Sequence, residues 1–558
     1  MKNNKIYFLV LTLIALVGCN DDFFDTAPKT QLTNDTFWTS TDDFKLYLNS
    51  FYTVFSGHSY TYFSSPIIYG DRQSDNQAPD QYDEITAGEY ILPESDNEYG
   101  YGQIRNLNIL LDNSKGSDIP AEQLNPLIAE AKFFKVYHYF EKVKRFGDFK
   151  WLATELNVDS PELYEDRDSR KLVMDSILAN IDYAIAHLPD NTSPNSRINR
   201  NIALALKSRI FLYEGTHMKY HGTGDPKPFL QESYNASKEL IENGDYSLEP
   251  DFRTLFSQVD KTSSPEVILI KDYEPDLVTS SVQYQLDINS ALDAATKSLV
   301  DSFLDAEGKP ISQSTIYDGS GGWSTEFDNR DPRLSATVAA PNSNLLYGGV
   351  PTIPGSSQST FHSMQISRTG YVIEKHWDLN PEQFNLRENC YIDAIMMRYG
   401  EVLLNYAEAA YELGILSQAD LDMSINLLRA RVNMPPMILG TMVKDVDSDF
   451  PSIDVTLDEI RRERRVELAM ENFRYDDIIR WKAGDLFTKP IRGVLFDQDL
   501  YPEVEVGTDV VLDNEGYILA YPNSLPNGGT FEDPKHYLFP IPIDELTLNP
   551  DLTQNPGW

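Results

Sequence analysis

The stretch that decides the fold is Glu463-Arg464-Arg465-Val466-Glu467-Leu468-Ala469-Met470-Glu471-Asn472-Phe473-Arg474-Tyr475-Asp476-Asp477-Ile478-Ile479-Arg480-Trp481. Acids and bases alternate at helical spacings of three and four, which pairs opposite charges along helix faces. The pattern predicts a helix–turn–helix with internal ion pairs and with Leu468, Phe473 and Trp481 buried. An active site is the other reading of so many charges, but groups that neutralise one another favour the structural one. Just upstream, Thr456-Leu457-Asp458-Glu459 fits a capping box for a further helix.

Outward from this segment the chain is built of amphipathic stretches. Leu124, Leu127, Ala131, Phe134 and Tyr137 recur at helical spacing, and Phe133, Val136, Phe140 and Val143 add a second face, so residues 121–146 read as a helix buried on two sides. Residues 171–188 (Leu172, Ile177, Ile181, Ile185, Leu188) stop at Pro189. Residues 198–215 are read as ending at Gly215, and 393–413 at Gly414. A further helix covers Ser424 to Val432. Ala203, Ala205, Ala407, Ala409 and Ala410 sit among the bulky residues and let neighbouring helices approach, as in tetratricopeptide (TPR) pairs. The strict 34-residue signature of those repeats is absent. Residues 305–390 and 484–541 lack helical periodicity, and long loops in a compact protein are usually functional. Short runs such as Val267-Ile268-Leu269-Ile270 are expected to pair locally. The expected fold is all-α, with TPR-like helix pairs, long irregular loops and minor short strands.

Composition excludes whole classes of function. The 558 residues are 41% hydrophobic and 12% aromatic, a globular composition. Against 47 Lys+Arg stand 86 Asp+Glu, a formal charge of −39, which repels phosphate backbones and makes nucleic acid an implausible partner. Cys19 and Cys390 are the only two cysteines, so a disulfide framework is excluded.

Lys2, Lys5 and the apolar run Ile6–Val17 form a signal-peptide pattern too short to span a bilayer. Leu16-Val17-Gly18-Cys19 resembles the lipobox of bacterial lipoproteins, which makes Cys19 the lipidated residue and a lipid anchor. The acidic Asn20-Asp21-Asp22 resembles a surface-export signal of Bacteroidetes lipoproteins. The expected organisation is a leader over 1–18, a lipidated tether over 19–35, an N-terminal helical part over 36–230 and a C-terminal part over 231–558, the last two packed as one unit.

Enzyme signatures are missing. HExxH, GxSxG, Walker and GxGxxG patterns do not occur, and no cofactor is implied. His217 and His221 have the spacing of a helical metal pair, but a helix ending at Gly215 would leave them in a loop. Asp445, Asp447 and Asp449 begin like an EF-hand, yet Phe450 and Thr456 stand where Gly and Glu are needed. An irregular Ca²⁺ site stays open.

The charged segment resembles the E-R-x-x-E-L-x-x-E-x-x-R-x-x-D-x-x-R-W signature of SusD/RagB-like proteins. Arg398-Tyr399-Gly400-Glu401-Val402-Leu403-Leu404-Asn405-Tyr406-Ala407-Glu408-Ala409 is similar to a second family helix, with Gly400 in place of Ala. Ala131-Lys132-Phe133-Phe134 through Phe146-Gly147-Asp148, the Asp331-Pro332-Arg333 turn, Phe37-Trp38 and the closing Tyr537–Pro542 and Gln554–Trp558 stretches follow in family order. The resemblance implies a SusD-like fold with no catalytic activity. It also implies a lipoprotein on the outer face of the outer membrane that captures oligosaccharides for a TonB-dependent, SusC-like transporter. Sugars need flat apolar rings and polar side chains. The family's ligand loops map onto Asp71, Arg72, Asp75 and Asn76, then Tyr90, Tyr99 and Tyr101, then Tyr284, then Tyr317 and Trp323. Trp323, flanked by Gly321-Gly322 and Ser324, is the foremost candidate platform. The net charge disfavours acidic polysaccharides. A surface glycoside hydrolase and a peptide-binding scaffold are the rival readings.

Overall fold

The computed structural model describes residues 37–58, 66–190, 196–286, 293–341, 343, 346–347, 350–351, 368–378, 381–499 and 504–558. The leader, Cys19 and the tether lie outside them. The main helices are α1 (Thr41–Asn49), α2 (Gly102–Ser114), α3 (Ala121–Phe146), α4 (Arg170–His187), α5 (Arg200–His221), α6 (Lys227–Asn243), α7 (Tyr399–Glu412), α8 (Val455–Glu467) and α9 (Arg474–Arg480). Strands are short: β1 (Gln77–Ala78), β2 (Val267–Lys271), β3 (Ala294–Ala295), β4 (Tyr371–Val372), β5 (Ala394–Arg398), β6 (Arg492–Leu495) and β7 (Tyr517–Leu519). The architecture is all-α, with antiparallel pairs β2–β5 and β6–β7 and a small sheet in the order β1-β3-β4.

Successive helices pack side by side from α2 to α6, and α7 joins α5, α6 and α8. The largest core gathers Phe44 and Phe51, the Phe133–Phe134 pair of α3, Ile202 and Leu206 of α5, Leu403 of α7, and Ile460 and Ile541 from near the other end of the chain. Among the described residues no helix is long and apolar enough to cross a membrane.

Five sequence expectations are corrected. Gly215 does not stop α5, which runs on to Gly222 at φ 68°. A Cβ at Gly215 would lie 2.7 Å from Leu230 Cγ, so this glycine lets α6 come close. His217 and His221 therefore share one face of α5, with rings stacked 4.0 Å apart. His221 Nε2 donates to the Ile479 carbonyl at 2.8 Å. Residues 394–398 form β5 before α7 begins at Tyr399, and β2 pairs with this distant strand rather than locally. Helix α8 is capped by Asp454, whose carboxylate accepts from Thr456 N at 2.8 Å.

The charged segment folds as two helices, with Met470 and Asn472 at positive φ in the turn between them. Leu468 and Trp481 are buried and Phe473 is half-buried. The ion pairs reach well beyond the segment. Arg398 meets Glu266 at 2.8 Å, Glu467 at 2.7 Å and Glu471 at 2.7 Å. Arg333 meets Glu463 at 2.6 Å, and Arg480 holds Glu408 at 2.6 Å. Arg461 instead lies over the rings of Tyr220, Phe450 and Trp481, 4.4–4.9 Å from their centroids. Buried charges persist where partners replace the lost water, so the motif is a set of bolts joining distant segments.

Residues 553–555 return to the N-terminal helices. Asn555 Nδ2 donates to the carbonyls of Phe146 (3.0 Å) and Phe539 (2.6 Å), and Arg167 donates to Asn555 Oδ1 at 3.0 Å and Thr553 O at 2.8 Å.

Candidate functional site

The site starts at Pro79-Asp80-Gln81-Tyr82. Ala78, Ala520 and Tyr521 form a small core against which Tyr82 leans. The Tyr521 hydroxyl donates to the Pro79 carbonyl, and the Tyr82 and Tyr521 rings meet edge to face at 5.9 Å. Asp83 caps the next helical turn, accepting from Ile85 N at 2.8 Å. Gly88, at φ 73°, turns the chain back. A Cβ there would meet Thr530 O at 2.1 Å, so only glycine fits. This reversal brings Glu89 to Tyr82, whose hydroxyl donates to Glu89 Oε2 at 2.9 Å. That bond, and the carboxylate's charge, raise the phenol pKa above its ordinary value.

The opposite wall is the 504–512 turn laid over β7. Gly507 N donates to Val510 O at 2.7 Å, and Leu519 N to Val511 O at 2.9 Å. Arg368 crosses to Asp80, donating from Nε to its carbonyl and from Nη2 to its carboxylate, each at 3.0 Å. Between the walls lies a cleft of about 890 Å³, within the range of small-ligand sites. Gln81, Thr508, Asn523 and Ser524 line it, are exposed, and have side chains with no hydrogen-bond partner among the described residues. One aromatic ring and four uncommitted amide or hydroxyl groups therefore face open space.

A second cavity, about 680 Å³, lies beside α8. Three of its carboxylates are paired with cations, while that of the exposed Asp447 has no cationic partner among the described residues. Asp445 pairs with Arg462 at 2.6 Å, Asp449 with Lys489 at 2.6 Å, and Asp458 with Lys444 at 2.7 Å. Asp445 and Asp449 thus already have cationic partners, and no cluster of metal-binding side chains occurs among the described residues.

The residues singled out from sequence do not converge. Asp71 and Asn76 are fully buried: Asp71 Oδ2 accepts from Asn76 Nδ2 (3.0 Å) and Met470 N (2.8 Å). Burial raises the Asp71 pKa against those bonds. Asp75 is gripped by Arg474 at 2.7 Å and Arg465 at 3.1 Å. Burial alone would raise its pKa, but the two guanidinium charges hold it well below the carboxylate range. These three are tied to the charged segment 465–474. Arg72 is bidentate to Asp293 (2.8 and 2.5 Å) and lies over Tyr69.

Tyr99 is in the core against Phe146 and Phe149, and burial pushes its pKa up to about 12. Tyr101 stacks on Phe149 at 4.8 Å, and Tyr90 packs on Phe539 at 5.4 Å. The Tyr317 hydroxyl donates to Glu326 at 2.8 Å, beneath Arg330. Tyr284 is half-buried under Arg387. Trp323 is half-buried too, its ring edge-on to Phe327 and packed on the second core. It therefore does have apolar neighbours. It adjoins β6, since a Cβ at Gly322 would meet Leu495 O at 2.7 Å. Because β6 pairs with β7, Trp323 and the cleft rest on one hairpin.

Two family models match the chain. The SusD family model covers residues 276–558, and a second, described as "Starch-binding associating with outer membrane", covers 22–212. The chain belongs to the SusD family. SusD-like protein P2 of Formosa agariphila is 24% identical over an alignment covering 100% of both chains. A SusD-like protein of Bacteroides ovatus is 21% identical over 98% of this chain and 93% of its own. Among solved structures, a SusD-like carbohydrate binding protein from Bacteroides fragilis superposes with a TM-score of 0.74 at 22% identity, covering 93% of this chain and 100% of that one. A laminarin binding SusD-like protein gives 0.61 at 18% identity, covering 93% of this chain and 100% of that one. These likenesses place the fold of this SusD-family chain.

Proposed function

We propose that this protein captures oligosaccharides at the outer membrane without transforming them, and hands them to a TonB-dependent transporter. The observation that carries the reading is the open cleft. The Tyr82 ring offers a flat apolar surface for sugar C–H faces, while Gln81, Thr508, Asn523 and Ser524 offer uncommitted partners for hydroxyls. Membership of the SusD family and the likeness of its fold to a SusD-like carbohydrate binding protein and a laminarin binding SusD-like protein support it. Trp323, beside the neighbouring strand β6, is a secondary contact for a longer chain. The lipobox-like Cys19 supplies the anchor: each buried CH₂ of an acyl chain stabilises attachment by about 0.8 kcal/mol, and several chains hold without basic residues.

The test is calorimetry of residues 20–558 against a panel of oligosaccharides, beside Tyr82→Ala and Trp323→Ala, with the recovered sugar checked for cleavage. Binding that is lost in Tyr82→Ala, with intact sugar, is expected. Cleaved sugar would instead support a hydrolase, and silence across the panel a peptide-binding scaffold.

A further inference from the structure

If the cleft is the glycan site, as proposed above, its charge specifies the class of glycan. Four carboxylates line it, those of Asp80, Glu84, Glu89 and Asp509, against the single guanidinium of Arg368. That guanidinium is already committed to Asp80. Glu84 is exposed and its carboxylate has no partner among the described residues, while Asp509 spends one oxygen on Glu505 N at 2.8 Å.

Recognition of a uronate or sulfate ester needs a cation free to form paired, charge-assisted hydrogen bonds. Among the described residues this cleft has none to give, and it places like charges on both walls. Low-dielectric walls focus such a field into the cleft. An ammonium on a sugar ring meets the opposite situation, with the free carboxylate of Glu84 on one wall and Asp509 on the other. We infer that the cleft takes neutral and amino-bearing glycans and rejects glycans carrying carboxylate or sulfate groups, with Glu84 and Asp509 setting that preference.

The experiment is an array of length-matched neutral, amino, uronic and sulfated oligosaccharides, read at 20 mM and 500 mM NaCl on the full mature chain and on Glu84→Gln/Asp509→Asn. Both amides keep the shape, and the amide carbonyl introduced at position 509 can still accept from Glu505 N. The expected result is binding among neutral or amino glycans, with acidic ones at least tenfold weaker at low salt. The gap should shrink at high salt, where the Debye length falls to about 4 Å. The double variant should narrow it several-fold at low salt and weaken the amino glycans most. Acidic glycans binding best, or a gap that ignores both salt and the variant, would overturn the inference while leaving glycan capture standing. No binding in any class would instead overturn the capture reading on which it rests.

Discussion

Glu408 lies at the centre of the buried ion network and gives the sharpest test of what the family signature is for. Its Oε1 accepts from Arg480 Nη1 at 2.6 Å and Trp481 Nε1 at 2.7 Å, and its Oε2 from Arg480 Nη2 at 2.7 Å. Burial pushes its pKa up, but the Arg480 charge and hydrogen bonds, with Arg464 and Trp481, bring it down from 4.5 to about 2. A folded value depressed by this much contributes about 3 kcal/mol of stability, fully present well above pH 4.5. That contribution is lost as pH falls toward 2, with about 2 kcal/mol gone by pH 3. Glu408→Gln imitates the protonated acid, so it should cost about 3 kcal/mol at pH 7 and only about 1 kcal/mol at pH 3. Urea denaturation of both proteins across that range, followed by circular dichroism, isolates this one carboxylate because all others titrate in both. A stability gap that stays the same from pH 7 to pH 3 would refute the idea that the charge of Glu408, and not its shape, holds the signature together.

Three further outcomes follow from other parts of the molecule. If the cleft is the glycan site, Tyr82→Phe should keep most glycan affinity and Tyr82→Ala should lose about tenfold or more, since the hydroxyl is committed to Glu89 and the ring is the proposed sugar surface; calorimetry separates them. Gly215→Val should lower stability by about 1–3 kcal/mol in a thermal melt, because the added atoms overfill the α5–α6 contact. Lys135 donates to Asn108 Oδ1 and Leu152 O, and burial lowers its pKa from 10.5 to about 7. The unfolded chain binds that proton up to about pH 10.5, so stability should rise between pH 7 and 10.5 in the natural protein and lose this component in Lys135→Met, as denaturant titrations will read.

The long helices were legible because their sequence carries two apolar faces at one period. Residues 121–146 form α3 with those same bounds. What misled was the use of glycine as punctuation. At Gly222 the residue is needed for its positive φ, whereas at Gly215 it is needed for having no side chain against Leu230, and sequence alone does not distinguish the two. The run Ala394–Arg398 reads equally as strand or helix, and its partner β2 lies far back in the chain.

The candidate cleft was less legible. Asp75 and Asn76 look like sugar-binding polar residues in the sequence, but Arg465 and Arg474, 389 and 399 residues away, hold them in the fold. Tyr82, Gln81 and Asn523 belong to no motif. Their signal lay in Pro79-Asp80-Gln81-Tyr82 and Tyr521-Pro522-Asn523-Ser524, two turn-like clusters that meet only after folding.

The return of residues 553–555 to Arg167 and Phe146 has a consequence for how the molecule is made. The Phe146 carbonyl at the end of α3 and the guanidinium of Arg167, which meet each other at 3.1 Å, gain further partners that are synthesised 409 and 388 residues later. Contacts of such long sequence separation form late and slow folding. A chain that stopped short of Thr553 would leave the ends of these early helices unsealed and open to proteases. The contacts of residues 553–555 therefore act as a stamp, set only on molecules whose synthesis has passed them.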